Sequence, residues 1–509
     1  MKNYNSLKIF IFILFPLILE YGFTAFYESA TWYAVFFCVI KAAVLCIPFI
    51  LFPSKIKKLA YFMYAFLYFP ALINMVHLIL FQSSLSECSL FSMFETTIGE
   101  SLDFLTHFYD WKLLIFSIFY LSAPLIFIKF KISESASRNF SLNKIQKALL
   151  AFICLAGYLA FACGDGRYRY PFERVFWSYI KYRIELNERI QLRDNRKNFH
   201  YNNIKSVIQT DRKQTYIFVI GESVDKKHMS LYGYPRKTTP NLDNIKDELY
   251  VFKNVNSAFC QTNEVMKCVL LFDQDFKKGD IISFLNEAGF KTFWFSNQYT
   301  SGRCDSTACL VGNQASDFAF INRSHFRVNK TSSLDENLLK YLDIALEDKS
   351  DKKVIFLHLI GSHSVYNRRY PKEFDLFTNP DFTQRANKVA EYDNSIAYTD
   401  SILIKIINRL KKFPENPSVF IYLPDHGEDA YDNDTSSFSH VANIASSHMF
   451  DVPLIVWVSE GFKNLRKDYL EGIDISKKYK TDVMIHSILD MFGLEHELIK
   501  KEYSVFRQN

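Results

Sequence analysis

The chain has 509 residues, 49% hydrophobic and 17% aromatic, with 30 Tyr and 50 Phe. Charged residues make up 22%, and Gly and Pro number only 16 and 14, which excludes a disordered or collagen-like chain. Lys+Arg at 60 against Asp+Glu at 54 leaves a formal +6, too small a surplus at this length to argue for a nucleic-acid partner.

A mean hydropathy of −0.04 would suit an ordinary soluble enzyme, but the apolar residues are unevenly spread. Five stretches before residue 165 are apolar enough to cross a bilayer, which takes about 20 residues each. They are approximately residues 9–27, 31–52, 59–81, 113–130 and 148–163. The first carries Glu20 and Tyr21 where a secretory cleavage site would need small residues, so it reads as an uncleaved helix. Lys2 and Lys8 precede it, Lys55, Lys57 and Lys58 follow the second stretch, and Lys129, Lys131, Arg138, Lys144 and Lys147 follow the fourth. The alternate loops hold Glu28, and then Glu87, Glu95, Glu100, Asp103 and Asp110. Positive-inside counting places the N-terminus in the cytoplasm and everything after Cys163 outside, which in a Gram-negative cell is the periplasm.

Residues 1–165 therefore form an expected five-helix transmembrane domain, and residues 166–210 follow as interfacial bridging helices. Between Tyr168 and Asn198, Tyr, Phe and Trp alternate with Arg and Lys. This segment reads as a helix pair on anionic headgroups or as a plain charged linker helix. Of the nine cysteines, Cys38, Cys46, Cys154 and Cys163 belong to the spans and Cys88 to an outer loop. Cys260 with Cys268 and Cys304 with Cys309 are close pairs in the exported part, readable as short-range disulfides or as thiols.

From Thr215 onward, short apolar runs alternate with amphipathic stretches, so residues 211–509 are expected to form an α/β domain with a mostly parallel central sheet. Several strand candidates stop at polar residues. Residues 216–220 end in Gly221-Glu222-Ser223, 292–295 in Ser296-Asn297-Gln298, 354–360 in Gly361-Ser362-His363, and 419–423 in Pro424-Asp425-His426-Gly427-Glu428. Ligands of open α/β sheets bind beyond the carboxyl ends of the strands, so Glu222, Asn297, His363, Asp425 and His426 can converge on one edge. Glu, Asp and His are ligands that zinc accepts; the competing reading makes them helix caps and partners of neighbouring charges. Thr262 stands at the junction of a strand-and-loop segment and a helix expected over 263–272. There its hydroxyl is either a nucleophile activated by the helix dipole and a metal, or an ordinary N-cap.

Taken in order, Ile220-Gly221-Glu222-Ser223, Ser230-Leu231-Tyr232-Gly233-Tyr234-Pro235-Arg236, Leu357-His358 through Gly361-Ser362-His363, Tyr366, Arg369-Tyr370-Pro371, Asp425-His426-Gly427-Glu428, His440 and Val452-Pro453-Leu454 resemble one family. It is the membrane-anchored phosphoethanolamine transferases of the alkaline phosphatase/sulfatase superfamily. The resemblance implies an alkaline phosphatase/sulfatase-like periplasmic catalytic domain and makes Glu222, Thr262, Asp425 and His426 the ligands of one Zn2+. Thr262 would also be the nucleophile, and His363 and His440 would lie by the phosphate, hold a second ion or move protons. Asn297 would contact the headgroup. The implied reaction moves phosphoethanolamine from phosphatidylethanolamine, through a phospho-threonine, to lipid A or a core sugar of lipopolysaccharide. The chain would work as a monomer among membrane lipids, in the inner membrane, with no nucleic acid.

This sequence departs from the family's pattern at three places. Phe259-Cys260-Gln261-Thr262 replaces Cys-Gly-Thr-x-Thr, Ser301 stands where a lysine follows Asn297, and Asp429–Phe438 replaces a Gly-Glu-rich loop. Rival readings are a phosphoglycerol transferase or phosphodiesterase of the same superfamily acting on a periplasmic glycan, and a membrane sensor or scaffold with a vestigial metal site. A formylglycine sulfatase would need Cys/Ser-x-Pro-x-Arg, and no such string surrounds Thr262.

Overall fold

A computed structural model describes residues 4–28, 33–51, 55–81, 84–85, 87–95, 101, 110–131, seven positions between 143 and 156, 171–195, 200–274, 277–300, 306–323, 333–378, 384–430, 432 and 446–507. The chain divides into two units, residues 1–94 with 108–183 and 442–444, and the remainder.

In the first unit the apolar stretches form helices α1 (Tyr4–Glu28), α2 (Tyr33–Leu51) and α3 (Ile56–Phe81), followed by α4 (Glu87–Glu95) and α5 (Trp111–Lys131). Each of α1, α2, α3 and α5 contains an internal proline, Pro16, Pro48, Pro70 and Pro124. Membrane helices tolerate this because neighbouring groups re-satisfy the freed carbonyl. Phe12, Ile13 and Leu17 pack with Ala42, Met63, Leu67, Met75 and Tyr120, and the Tyr68 hydroxyl donates to Phe12 O at 2.7 Å. Polar side chains of this unit pair with one another, as apolar surroundings favour. Asn74 Nδ2 donates to Glu20 Oε1 at 2.5 Å, and Lys41 Nζ meets Glu173 Oε2 at 3.2 Å.

Among the described residues, two segments, Lys8–Phe26 and Lys57–Leu80, are long and apolar enough to span a membrane, whereas Cys38–Phe49 and Trp111–Ile126 are shorter. The fifth expected stretch lies mostly outside the described residues, so a five-span count remains a proposal. Where a pair of bridging helices was expected, one continuous helix, α6 (Pro171–Asn195), occupies the described residues. Pro171 at its first position and Glu173 in its first turn suit a helix start. After Pro171 neither Gly nor Pro interrupts the rest of this 25-residue helix, which is why two helices become one.

The second unit is built on a seven-stranded sheet. Its strands are β1 (Gln214–Gly221), β2 (Leu249–Phe252), β3 (Lys291–Thr300), β4 (Asp317–Arg323), β5 (Lys352–His358), β6 (Ser418–Pro424) and β7 (Leu454–Val458), in spatial order β2-β7-β6-β1-β5-β3-β4. Strands β6, β1, β5, β3 and β4 run parallel, while β7 is antiparallel to both of its neighbours, β6 and β2. The sheet is thus mixed at one side and parallel where the expected site residues sit. All eight residues of β1 are buried, the signature of a strand covered on both faces. Register pairs Ile220 with His358 and Gly221 with Pro424, so the carboxyl ends of β1, β5 and β6 stop level. Strand β3 pairs with β5 up to Ser296–His358 but, instead of ending before Ser296 as expected, runs on to Thr300 because it keeps its partner β4 there. Its helices of seven or more residues are α7 (Thr262–Leu270), α8 (Ile281–Glu287), α9 (Asn337–Glu347), α10 (Gln384–Leu410) and α11 (Met484–Met491). The core joins Tyr216, Phe218, Trp294 and Phe356 of the sheet to Val265 and Val269 of α7 and Ile485 and Ile488 of α11.

Candidate metal centre and nucleophile

Strand pairing continues past the ends of the strands as single backbone bonds, and these bring the polar residues together. Leu359 N donates to Ile220 O (2.9 Å), Ser362 N to Glu222 O (3.0 Å), Asp425 N to Gly221 O (3.2 Å) and Val224 N to His426 O (3.0 Å). Two glycines make this spacing achievable. A Cβ on Gly361, at φ +49°, would lie 2.8 Å from Glu222 O, and one on Gly427 would lie 2.0 Å from His448 O. Ser223 holds φ 56°, a left-handed conformation costing a non-glycine residue about 1 kcal/mol or more. It is fixed there because its N–H donates to Asp425 Oδ1 (3.1 Å), its hydroxyl to Glu222 Oε1 (2.8 Å), and its carbonyl accepts from the Tyr392 hydroxyl (2.8 Å).

Glu222, Asp425 and His426 are all buried and offer ligand atoms within reach of one another. Burial, and then the charge of Asp425, push the Glu222 carboxyl well above the usual carboxylate range. His426 Nδ1 lies 2.8 Å from Gly427 O, which assigns the proton to Nδ1 and leaves the Nε2 lone pair facing the carboxylates. Nε2 stands 3.5 Å from Glu222 Oε1 and 3.4 Å from Asp425 Oδ2. Thr262 Oγ1 completes the group, 3.4 Å from Glu222 Oε2 and 3.5 Å from His426 Nε2.

These separations suit a metal rather than shared protons. Ligand bonds of about 2.0–2.1 Å in a tetrahedron put neighbouring ligand atoms about 3.3 Å apart. Asp425 Oδ2 is moreover a buried oxygen that accepts no hydrogen bond. Two buried carboxylates, a correctly oriented imidazole and a hydroxyl fit a zinc ion. A second group, Asp225, His228 and Asp432, is also close-set, but its spacings differ. His228 Nδ1 lies 2.7 Å from Asp393 Oδ1 and Nε2 lies 3.0 Å from Asp432 Oδ1, while His448 Nδ1 lies 2.6 Å from Asp225 Oδ2. Those are hydrogen-bond distances, and the group is an ion network held by protons.

Thr262 is the first residue of α7, and the cap position belongs to Gln261, which makes no side-chain capping bond. The Thr262 hydroxyl is therefore not spent on the helix end, and the N-cap reading does not hold. The Cys260–Cys268 bridge does not form either; both are unbridged thiols. Burial pushes the Cys268 thiol up to about 12. Cys304 and His440 lie outside the described residues, so the Cys304–Cys309 pairing and the place of His440 remain proposals.

His363 follows β5 on a half-buried loop, its Nδ1 3.4 Å from Ser364 Oγ. Arg369 clamps that loop by donating to His363 O (2.9 Å) and Ser364 O (2.6 Å), and Val365 beside it sits at φ 65°. Asn297 is fully buried, and its Nδ2 donates to Ser333 O (3.0 Å) and Asp335 Oδ1 (2.8 Å). A register shift between Ser296 and Tyr299 of β3 turns successive side chains to different partners. The next residue, Gln298, donates through Nε2 to Glu222 Oε2 (2.9 Å) and Leu359 O (2.8 Å). Sequence reading gave no role to Gln298, Asp335 or Arg369. Gln298 stood beside Asn297 and Arg369 lay within a quoted motif, whereas Asp335 carried no signal.

The sulfatase family profile matches residues 214–494. Over its length the chain is 27% identical to phosphoethanolamine transferase EptC of Escherichia coli K12, across 89% of this chain and 82% of that one. It is 26% identical to phosphoethanolamine transferase CptA of Salmonella typhimurium, with the same shares. The zinc complex of the Escherichia coli EptC periplasmic domain superposes with a TM-score of 0.55 at 27% identity, covering 60% of this chain and 90% of that one. The integral membrane EptA of Neisseria meningitidis matches in fold with a TM-score of 0.69 over 98% of this chain and 96% of that one, at 19% identity. The chain belongs to the sulfatase family, and over most of its length it is similar to phosphoethanolamine transferases.

Proposed function

We propose that the chain is a zinc-dependent transferase that moves phosphoethanolamine from phosphatidylethanolamine to lipopolysaccharide through a phospho-threonine. The observation that carries this reading is the position of Thr262 Oγ1, within 3.5 Å of both Glu222 Oε2 and His426 Nε2 while its helix leaves it uncapped. Glu222, Thr262, Asp425 and His426 would hold the ion. When bound, zinc lowers the proton affinity of the hydroxyl and offsets charge on the transferring group.

Thr262 Oγ1 attacks phosphorus, and its bond to phosphorus forms as the bond to the diacylglycerol oxygen breaks. The hydroxyl proton leaves to solvent, and in this reading His363 gives a proton to the departing oxygen. In the second half, an acceptor hydroxyl or phosphate attacks the phospho-threonine and restores the Thr262 hydroxyl. The Asp425 carboxylate orients the site through its bonds to Ser223 N and His426 N (3.1 and 2.8 Å). Two substrates that are both lipids account for joining the sheet unit to apolar helices in one chain.

Mass spectrometry of lipopolysaccharide from cells with and without the gene tests the reading. A mass increment of one phosphoethanolamine, absent when Thr262→Ala replaces the wild type, is expected, with the transfer rate falling by several orders of magnitude. Appreciable transfer by a stably expressed Thr262→Ala protein would remove Thr262 as the nucleophile.

A further inference from the structure

The family resemblance assigns Asn297 to the substrate headgroup, but its amide is committed to a buried carboxylate. Asp335, 2% exposed, receives Asn297 Nδ2 at 2.8 Å. Its two oxygens also accept the backbone N–H groups of Ile360 and Gly361, both at 2.9 Å. Those two amides begin the loop that carries His363. On its other side the same loop is pinned to the metal centre, because Ser362 N donates to Glu222 O at 3.0 Å and Gly361 has no room for a Cβ there. His363 N closes the turn onto Ile360 O at 3.2 Å.

A carboxylate buried this deeply is costly unless several donors are fixed on it. Burial raises its pKa, and Asn297 together with the amides of Ile360 and Gly361 works in the opposite direction. Nothing in this arrangement touches the reacting atoms. Its geometric consequence is the height of the Ile360–His363 turn above Glu222. Hydrogen bonds to a charged acceptor are the stronger kind, so the loop is held by its most stable contacts on the side away from substrate.

We infer that Asp335 is the positioning residue for His363, with Asn297 as its anchor. The inference rests on the reading in which His363 acts on the transferring group. Asp335→Asn keeps the shape but turns an N–H toward an amide that needs an acceptor. Asn297→Ser removes the anchor and leaves the carboxylate in place.

The test uses the full-length, zinc-loaded protein in micelles, with phosphatidylethanolamine carrying a fluorescent acyl chain. Bound zinc, kcat, KM and hydrogen exchange of the amides of residues 360–362 are measured for both variants and their double. For Asp335→Asn, zinc should stay at the wild-type level and KM should hold. The amides should exchange faster and kcat should fall about ten- to a hundredfold, the loss expected from misplacing a catalytic group by roughly 1 Å. Asn297→Ser should move the same quantities less, and the double variant should be no worse than Asp335→Asn.

A folded Asp335→Asn protein with kcat within about threefold of wild type overturns the inference. So does an Asn297→Ser protein whose KM rises while exchange at 360–362 is unchanged, since Asn297 would then be a headgroup contact. If Asp335→Asn does not fold, Asn297→Ser decides by the same two criteria. A wild-type protein that binds zinc but transfers nothing refutes the proposed function, and the exchange comparison still decides the placement of the loop.

Discussion

Gly361→Ala probes how closely the histidine loop is set against the metal centre. The glycine sits at φ +49°, where an added side chain costs about 1–2 kcal/mol in backbone strain alone. The new Cβ would also lie 2.8 Å from Glu222 O, 3.0 Å from Glu222 N and 3.1 Å from Glu222 Cβ. All three neighbours belong to the residue that forms the metal centre, and two are backbone atoms tied into the sheet end. They cannot swing aside as a flexible side chain would, so overpacking adds about 1–3 kcal/mol. The sum, about 2–5 kcal/mol, should lower the melting temperature of the sheet-bearing unit by on the order of 3–10 °C in scanning calorimetry. Zinc affinity should fall with it, because relief of the clash must move either Glu222 or the turn. A Gly361→Ala protein with wild-type melting temperature and zinc affinity would refute the reasoning, since the loop would then have slack that the geometry denies it.

Metal analysis of purified variants separates the two histidines: His426→Ala should lose tightly bound zinc together with activity, whereas His363→Ala should lose activity and keep most of the metal. Equal zinc loss from both would place His363 in the primary site. His228 gives a pH signature. Burial opposes its charge, but Asp393 and Asp432 outweigh that and lift it to about 10. Its unfolded value is about 6.5, so the stability it contributes is whole below that pH and is lost as pH rises toward 10. The melting-temperature gap between wild type and His228→Gln should be widest near pH 6 and close by pH 10, and a gap independent of pH would reject the ion network. Cysteine labelling without reductant should modify Cys260 in the native protein and Cys268 only after unfolding; recovery of a Cys260–Cys268 disulfide peptide would contradict the two unbridged thiols.

Much of this molecule was readable from residue order. The apolar runs at the start of the chain become α1, α2, α3 and α5 because an unbroken apolar run cannot be solvated as anything but a buried or membrane-facing helix. The runs leading to Glu222, His363 and Asp425 mark real strand ends, since β-rich runs stop where the chain must meet water or ligand, whereas β3 runs on through Asn297 to Thr300. That Glu222, Asp425 and His426 would gather at this edge was legible for the same reason.

Side-chain direction was not legible. Asn297 and Gln298 are neighbours in the chain, yet one faces Asp335 and the other Glu222, since successive strand residues point to opposite faces and the register of β3 shifts at this place. Cys260 and Cys268 look close by count, yet they are not bridged, Cys268 being buried within the helix that starts at Thr262. Asp335 gave no signal, since it lies 25 and 26 residues before the amides it holds. Sequence determined which residue types reach the sheet edge, because periodicity and burial are local properties of the chain. Only the tertiary structure decided which of them share a partner, because that depends on strand register, a bulge and two glycine contacts formed between distant segments.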